Sequence, residues 1–438
     1  MTEENVLPPR EIDTSPHNIV RGDASGLPFD DSEFHAIVTD PPYNFDGGFM
    51  SKDWDNLGGS KQYQQWCEEW AKESLRVLKP GGHMLAFSSS QQFHRLFCGV
   101  EDAGFEIRDT LMWVYGDGFP KSHNVEKAIG KKLGEEDERE VVYEREESSG
   151  YSSIDKKNEE QGHRPNRYYD DEPDTIQYTA PASELAQKFE GFGTALKPAF
   201  EPIVLARKPL EEDTIAEQVM ATGTGALNVD GCRISLEDGE EISIGYNSTD
   251  GMQEGWHREW MKNKEEWEDY KQEKVDKSNE EGRFPANLVL DQMASNMLDG
   301  GNGLFSAQSK TTHEAYGEES MFLDGESHSD NQYSDSGGPS RFFYTPKATK
   351  SERTMDGRIE NIHPTVKPID LIEWMVNLVT AEGQRVLDQF LGSGTTLIAC
   401  ERNNRTGTGV DMNQDYCKLA TKRLGCEKDT ELGSIFDY

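Results

Sequence analysis

The sequence is poor in hydrophobic residues and has no long apolar run. Hydrophobic residues make up 34% of its 438 residues, below the ~45–50% of an average globular protein. No stretch reaches the roughly 18 uncharged apolar residues of a membrane-spanning helix. The N-terminal MTEENVLPPR also lacks the apolar core of a signal peptide. We therefore expect a cytoplasmic protein that does not contact a membrane.

Cysteines are few, and their spacing is uninformative. The chain has six, and none of them forms a Cys-x-x-Cys pair. Close pairs are typical of zinc sites, and a dense cysteine framework is typical of small secreted proteins. The sequence therefore predicts neither a metal site nor a disulfide framework.

Positive charge is also scarce, with 45 Lys and Arg against 82 Asp and Glu, which gives a formal net charge of −37. In dilute salt such a charge repels nucleic-acid phosphates. In molar salt the screening length falls to about 3 Å, and an acidic surface then keeps a protein hydrated without repelling DNA at a distance. Because the acidic residues spread along the whole chain, we favour a halophilic origin over an ordinary acidic protein with disordered acidic loops.

Apolar strands alternate with helical stretches in two parts of the chain. Near the N-terminus, a helical run over residues 63–78 ends at Lys79-Pro80-Gly81-Gly82 and separates the strands FHAIVTD and HMLAFS. Near the C-terminus, the strand RVLDQF precedes a Gly-rich turn and a helix over residues 395–402. This alternation predicts an α/β fold, with a parallel sheet covered by helices on both faces.

Changes in composition divide the chain into five predicted segments. Residues 130–190 are dense in Glu, Lys, Ser and Asn, which is typical of a flexible acidic insertion. Residues 210–340 are mixed in composition and are predicted to form an inserted second domain. The remaining segments carry the pattern of one core: residues 1–129, 191–209 and 341–438.

The most specific motif is Thr39-Asp40-Pro41-Pro42-Tyr43-Asn44, at the end of a predicted strand. Ligands of open α/β sheets bind outside the carboxyl ends of strands. Each proline removes a backbone donor, so the loop offers acceptors: the Asp40 carboxylate and the carbonyl that follows it. With the flat ring of Tyr43 alongside, the motif suits a planar group that carries an NH₂. The alternative is a plain turn that closes a strand.

A second motif is the Gly-rich turn in Val386-Leu387-Asp388-Gln389-Phe390-Leu391-Gly392-Ser393-Gly394. Glycines let the backbone approach a ligand, and the helix that follows presents free N–H groups. The next predicted strand ends at Asp411, where a carboxylate can accept from ribose hydroxyls. The turn alone is weak, because it lacks the third glycine of the dinucleotide fingerprint and is also compatible with a turn that binds no ligand.

Two further segments carry candidate polar groups. In His363-Pro364-Thr365-Val366-Lys367-Pro368 the prolines fix an extended approach to the sheet. Thr365 and Lys367 are then placed to reach a cofactor carboxylate, unless the segment only caps the next helix. Asp23, at another predicted strand end, either accepts from an adenine amine or caps a turn.

Together these motifs resemble the amino-group DNA methyltransferases that use S-adenosylmethionine. The order, with Asp-Pro-Pro-Tyr first and the Gly-rich motif near the C-terminus, resembles the circularly permuted beta group. The stretches FPKSHN, GFGTALKPAFEPIVLARKP, GRFPAN and IHPTVKP resemble the site-specific enzymes of phages and prophages. The resemblance implies a Rossmann-like methyltransferase sheet, S-adenosylmethionine as cofactor, double-stranded DNA as partner and a target-recognition region over residues 210–340.

The resemblance also implies roles for individual residues. The target base would be held by Asp40, Pro41, Pro42 and Tyr43. The cofactor would be held by Asp23, Thr365, Lys367, Asp388, Phe390, Gly392, Gly394 and Asp411. Candidate DNA contacts are Lys121, His123, Arg283, Arg341 and Lys347. For each of them an ordinary solvated side chain is the favoured interpretation. A homodimer is compatible with the sequence.

The expected reaction is methylation of adenine N6 in DNA. Asp before Pro-Pro favours adenine N6 over cytosine N4. Methylation of RNA or of a protein amide uses related Pro-Pro-Tyr loops and remains an alternative. Two others are a nucleotide-dependent oxidoreductase, which leaves the Asp40–Tyr43 motif unexplained, and a non-catalytic DNA-binding relic.

Overall fold

The computed structural model describes residues 15–44, 55–116, 122–135, 141–146, 175–236, 272–273, 275–277, 279–300, 339–346, 352–363 and 365–436. The chain divides into two compact units, one of residues 1–117 and 199–438 and the other of residues 118–198. The five predicted segments therefore remain a proposal. Within the described ranges, no helix combines the length and the apolar character needed to cross a membrane.

The larger unit is built on one eight-stranded sheet. Its strands are β1 (Asn18–Arg21), β2 (Phe34–Thr39), β3 (Leu78–Phe87), β4 (Glu106–Val114), β7 (Phe200–Arg207), β8 (Leu288–Leu290), β9 (Arg385–Asp388) and β10 (Thr406–Asp411). Their order across the sheet is β1-β10-β9-β2-β3-β7-β4-β8. The N-terminal strand thus pairs with the C-terminal one, and the sheet joins the two ends of the chain.

Helices of the larger unit lie between and after these strands in the sequence. They are α1 (Ser60–Val77), α2 (Phe93–Asp102), α5 (Ile215–Thr222), α6 (Gln292–Gly300), α7 (Ile369–Val379), α8 (Thr395–Arg402) and α9 (Gln414–Phe436), with short 3₁₀ turns at Asp230–Cys232 and Pro339–Phe342.

Alternate residues of the central strands point to two different apolar cores. On β2, Ile37 packs with Trp70 of α1 on one face, whereas Val38 packs with Met375 of α7 on the other. Because successive side chains of a strand point to opposite faces, both faces of the sheet are covered. The expectation of an α/β sheet with helices on both faces is confirmed.

The sheet is mixed rather than wholly parallel, which corrects the expectation of a parallel sheet. Among the described strands of this sheet, β7 alone runs against its neighbours, β3 and β4. A reversed strand brings its amino end to the edge where parallel strands bring their carboxyl ends. Glu201, near the start of β7, therefore lies at the edge where β2 and β3 end.

The predicted stop at Lys79–Gly82 does end helix α1, but β3 begins at once. Leu78 pairs with Phe34 of β2, and the next register pairs His83 with Ala36. Between these two pairs β3 advances by five residues and β2 by two, so residues 79–82 form a bulge in β3. The sequence predicts that the glycines of this segment form a turn, but it does not predict that they lie within a strand.

The smaller unit contains a hairpin and two helices in its described residues. Strands β5 (Val141–Glu146) and β6 (Thr175–Thr179) pair antiparallel. Helix α3 (Val125–Leu133) is capped by Asn124, whose side chain accepts from a backbone N–H, and α4 (Glu184–Lys188) is capped by Ser183 in the same way. Part of the predicted insertion at 130–190 therefore carries regular structure.

Gly394 offers a test of the packing between α8 and α9. Its φ is +81°, and a Cβ placed there would lie 2.7 Å from Cβ of Ala420 on α9. Gly383 has a similar φ of +76° with open space around it. Both substitutions to alanine add left-handed strain of ~1–2 kcal/mol, but only Gly394→Ala adds an overpacking cost of ~1–3 kcal/mol. Urea unfolding of both variants measures the difference, and equal losses of stability would contradict the packing described here.

Candidate active site

One edge of the sheet collects the polar groups that the sequence singles out. Strands β2, β9 and β10 are parallel and end at Thr39, Asp388 and Asp411. Their carboxyl ends therefore meet at one edge, which is where ligands of such sheets bind. Asp40 follows β2 directly, and the Gly-rich turn follows β9.

The loop that follows β2 is held by hydrogen bonds to its backbone. Asp55, which is buried, accepts from the backbone N–H groups of Tyr43 and Asn44, each at 2.8 Å. The Tyr63 hydroxyl donates to the Pro42 carbonyl at 2.9 Å. Asn44 has a φ of +55°, a left-handed conformation that asparagine tolerates better than most residues. The loop is therefore fixed at its far end as well as at the strand.

Four side chains form a hydrogen-bonded group that we call the Asp40 cluster: Asp40, Tyr43, Glu201 and Lys367. The Lys367 ammonium donates to Asp40 Oδ2 at 2.5 Å and to the Tyr43 hydroxyl oxygen at 3.2 Å. The Tyr43 hydroxyl donates to Glu201 Oε2 at 3.0 Å, which lies 3.4 Å from Lys367 Nζ. The cluster thus places one cation between two carboxylates.

Electrostatics within the cluster shift the pKa values of three of its groups, and for Glu201 burial raises the pKa against the opposing charge of Lys367. Burial lowers the pKa of Lys367, but the charges of Asp40 and Glu201 outweigh it and raise that pKa above its usual value. Burial, and then the same two charges, raise the pKa of Tyr43 well above its usual value. Lys367 is therefore charged and Tyr43 neutral at pH 7.

Asp40 Oδ1 is the one unused acceptor of that carboxylate. It is buried and has no hydrogen-bond partner among the described residues, while Oδ2 is bonded to Lys367. An unpaired buried acceptor typically costs ~1–3 kcal/mol. The oxygen is therefore a strong site for an incoming N–H donor.

Asp388 joins the end of β2 to the Gly-rich turn. Its carboxylate accepts from the hydroxyls of Thr39 at 2.7 Å and Thr396 at 2.6 Å, and from the Phe390 N–H at 3.2 Å. Burial raises its pKa to about 6, against the hydrogen bonds from Thr396 and Thr39. With three internal donors and a buried position, Asp388 links the end of β2 to the Gly-rich turn. Its expected role as a cofactor contact stays a prediction.

The Gly-rich turn packs closely on its surroundings. Gly392 has a φ of +50°, and a Cβ there would lie 3.0 Å from the His363 ring. Its N–H donates to Asp411 Oδ2 at 2.9 Å, and the Asn413 N–H donates to Oδ1 at 2.8 Å. A carboxylate has about four acceptor positions, so Asp411 retains capacity for further donors. Phe390, half-buried against Trp66 and Trp70, forms a flat wall beside the turn.

The remaining predicted cofactor residues are placed differently from one another. Lys367 lies against Asp40 and Glu201. Thr365 is exposed, and its carbonyl contacts the His363 ring. Asp23 Oδ1 accepts from the backbone N–H and the hydroxyl of Ser25, so the structure favours the turn-capping interpretation for Asp23.

Glu201 and Asp55 were not predicted as site residues. Glu201 carries a weak signal, since it is a charged residue inside the apolar strand sequence FEPIVLAR. Asp55 carries none, because its partners depend on how the loop folds back.

Three of the five predicted DNA contacts lie within the described residues, and they differ in exposure. Arg283 is only 8% exposed and lies over the Phe342 ring, as does Arg341. His123 is exposed in the smaller unit. Lys121 and Lys347 lie outside the described residues.

Several known methyltransferases are similar to this chain. A Type II methyltransferase of Haemophilus parainfluenzae, M.HpaI, is 46% identical over 65 residues, which are 15% of this chain and 21% of that protein. M.HindIII of Haemophilus influenzae, also a Type II methyltransferase, is 22% identical over 91% of this chain and 92% of its own length. The chain thus spans about a fifth of the first relative and nearly all of the second. A solved structure of the PvuII DNA methyltransferase, which is cytosine-N4-specific, is 14% identical, covers 94% of this chain and 90% of its own, and has a TM-score of 0.42.

A family model also matches most of the chain. The model described as DNA methylase, with a name that denotes N6 and N4 methyltransferases, matches residues 34–422. That range runs from the first residue of β2 into the first part of α9 and contains both the Asp40 cluster and the Gly-rich turn. The chain therefore belongs to the N6/N4 DNA methylase family.

Proposed function

We propose that the chain is a site-specific DNA methyltransferase that moves a methyl group from S-adenosylmethionine to N6 of adenine in double-stranded DNA. The observation that carries the proposal is Asp40 Oδ1, an unpaired buried acceptor beside Tyr43 at the sheet edge that also holds the Gly-rich turn. The two Type II relatives named above support site specificity. We propose residues 210–340 as the target-recognition region and a role for the protein in restriction–modification.

The residues around the Gly-rich turn fit S-adenosylmethionine. Asp411 has acceptor capacity for ribose hydroxyls. Gly392 leaves its backbone open where a side chain would meet His363, Phe390 offers a ring, and Thr365 is exposed for a polar contact. When bound, the cofactor supplies a methyl group already activated on a sulfonium.

The chemical problem is that the exocyclic amine of a nucleobase is a poor nucleophile, since its lone pair is delocalised into the ring. Hydrogen bonds from its two N–H groups to Asp40 Oδ1 and the Pro41 carbonyl favour a pyramidal nitrogen with a directed lone pair. The nitrogen would take the methyl group that the sulfonium cofactor supplies, and the Asp40 carboxylate would accept the proton that the amine releases. Positioning supplies most of the rate, since the reacting atoms need only be held in line.

The target base cannot be reached inside a duplex and must be extruded. Tyr43 would replace its stacking partners, because the ring is half-buried and held by its hydroxyl at Glu201. Cytosine N4 is the alternative target, since the family includes N4 enzymes and cytosine presents the same amine. An RNA or protein amide substrate is less favoured, because the family model that matches residues 34–422 is described as DNA methylase.

The reaction and the modified atom are tested together. Purified protein, DNA and tritiated S-adenosylmethionine should give DNA that carries label, and nucleoside mass analysis should find N6-methyladenine. Label on N4-methylcytosine would replace adenine by cytosine as the target. Label on RNA or protein alone, or no label, would refute the proposed function.

Removing the Asp40 carboxylate should abolish transfer and spare cofactor binding. For Asp40→Ala we expect kcat to fall by at least ~100-fold, the usual effect of deleting one preorganised hydrogen-bonding group. The dissociation constant for S-adenosylmethionine, measured by calorimetry, should stay within about twofold of wild type. Asp213→Ala, an exposed site before α5, is the matched control. Equal loss of transfer and of cofactor binding would contradict the role given to Asp40.

We further propose that the net charge of −37 reflects a halophilic origin. Carboxylate repulsion is screened as the Debye length falls from ~10 Å at 0.1 M to ~3 Å at 1 M salt. The melting temperature should therefore rise between 0.1 and 2 M KCl in calorimetric scans. A melting temperature that is unchanged or falls over this range would remove the halophilic interpretation.

A further inference from the structure

Glu201 joins the Asp40 cluster from the reversed strand. The start of β7 is fixed to the end of β3 by the pairing of Phe87 with Ile203 and by a hydrogen bond from Ser88 N–H to the Pro202 carbonyl at 2.9 Å. The Glu201 side chain is 20% exposed. The antiparallel strand β7 thus places a mostly buried carboxylate beside Asp40 and Lys367.

The first consequence concerns the cation. Lys367 Nζ lies 2.5 Å from Asp40 Oδ2 and 3.4 Å from Glu201 Oε2, and it is also 4.8 Å from the centre of the Phe87 ring. An ammonium with a single carboxylate neighbour would concentrate its hydrogen bonds on that neighbour. With Glu201 present the positive charge is shared, and Asp40 Oδ1 keeps its free acceptor position.

The second consequence concerns the ring of Tyr43. Its backbone N–H donates to Asp55 and its hydroxyl donates to Glu201. The residue is therefore anchored at both ends, which fixes the plane of the ring next to Asp40. A hydrogen bond to a charged acceptor is among the stronger ones in proteins.

We propose that Glu201 is a positioning residue for methyl transfer: it holds the Tyr43 ring and draws Lys367 so that Asp40 keeps one oxygen for the target amine. The inference rests on the proposed function and adds to it a residue that touches neither the base nor the cofactor. It acts through Tyr43 and Lys367.

Two near-isosteric variants separate the two actions. Glu201→Gln removes the charge and keeps the shape, and Tyr43→Phe removes the hydroxyl and keeps the ring. For Glu201→Gln we expect kcat to fall on the order of tenfold, with the DNA KM, the S-adenosylmethionine dissociation constant and the melting temperature little changed. Because Tyr43→Phe removes the hydrogen bond that Glu201→Gln weakens to a neutral acceptor, the double variant should lose less than the product of the single losses.

Glu212→Gln, an exposed site beyond the far end of β7, is the matched control and should keep the wild-type kcat. A wild-type kcat in Glu201→Gln would overturn the inference. So would equal losses of kcat, cofactor affinity and melting temperature, since these mark a residue that supports the fold alone. A wild-type chain that methylates no DNA would instead refute the proposed function, and this inference with it.

Discussion

The site depends on one buried carboxylate. Asp388 accepts hydrogen bonds from Thr39 at the end of β2 and from Thr396 in the first turn of α8. Thr39 and Asp388 are separated by 349 positions in sequence. Taking a carboxylate out of water is costly unless its oxygens are bonded, and here three donors meet that need. Because the bonds tie the Asp-Pro-Pro loop to the Gly-rich turn, the two predicted halves of the site lie at one edge.

The reversed strand supplies what parallel strands cannot. A parallel β7 would bring its carboxyl end, with Arg207, to the site edge, but the antiparallel β7 brings Glu201 instead. Arg207 then lies at the opposite edge, where it is bonded to Glu106. The direction of one strand therefore sets the sign of the charge that faces Lys367. It also decides whether Asp40 is the only carboxylate near that ammonium or one of two.

The sequence predicts the local features of the site well and its long-range contacts poorly. Helix α8 begins and ends at the predicted residues 395 and 402, because a Gly-rich turn and a polar stop bracket it. Asp40 was placed correctly at a strand end for the same local reason. The partner of Lys367 was missed, since its contact with Asp40 spans 327 positions and follows from the order of strands. Glu201 was missed because strand direction leaves no mark in composition.

Only one oxygen of Asp40 has a hydrogen-bond partner among the described residues, and this bears on how an amine would bind. Oδ2 is taken by Lys367, and Oδ1 is left for a donor. A serine at this position has one oxygen and no charge, so it could not both hold the ammonium and accept from an amine through a second atom. Lys367 and Glu201 therefore form a matched set with an aspartate. Whichever base binds, its amine must meet an acceptor that the ammonium leaves open.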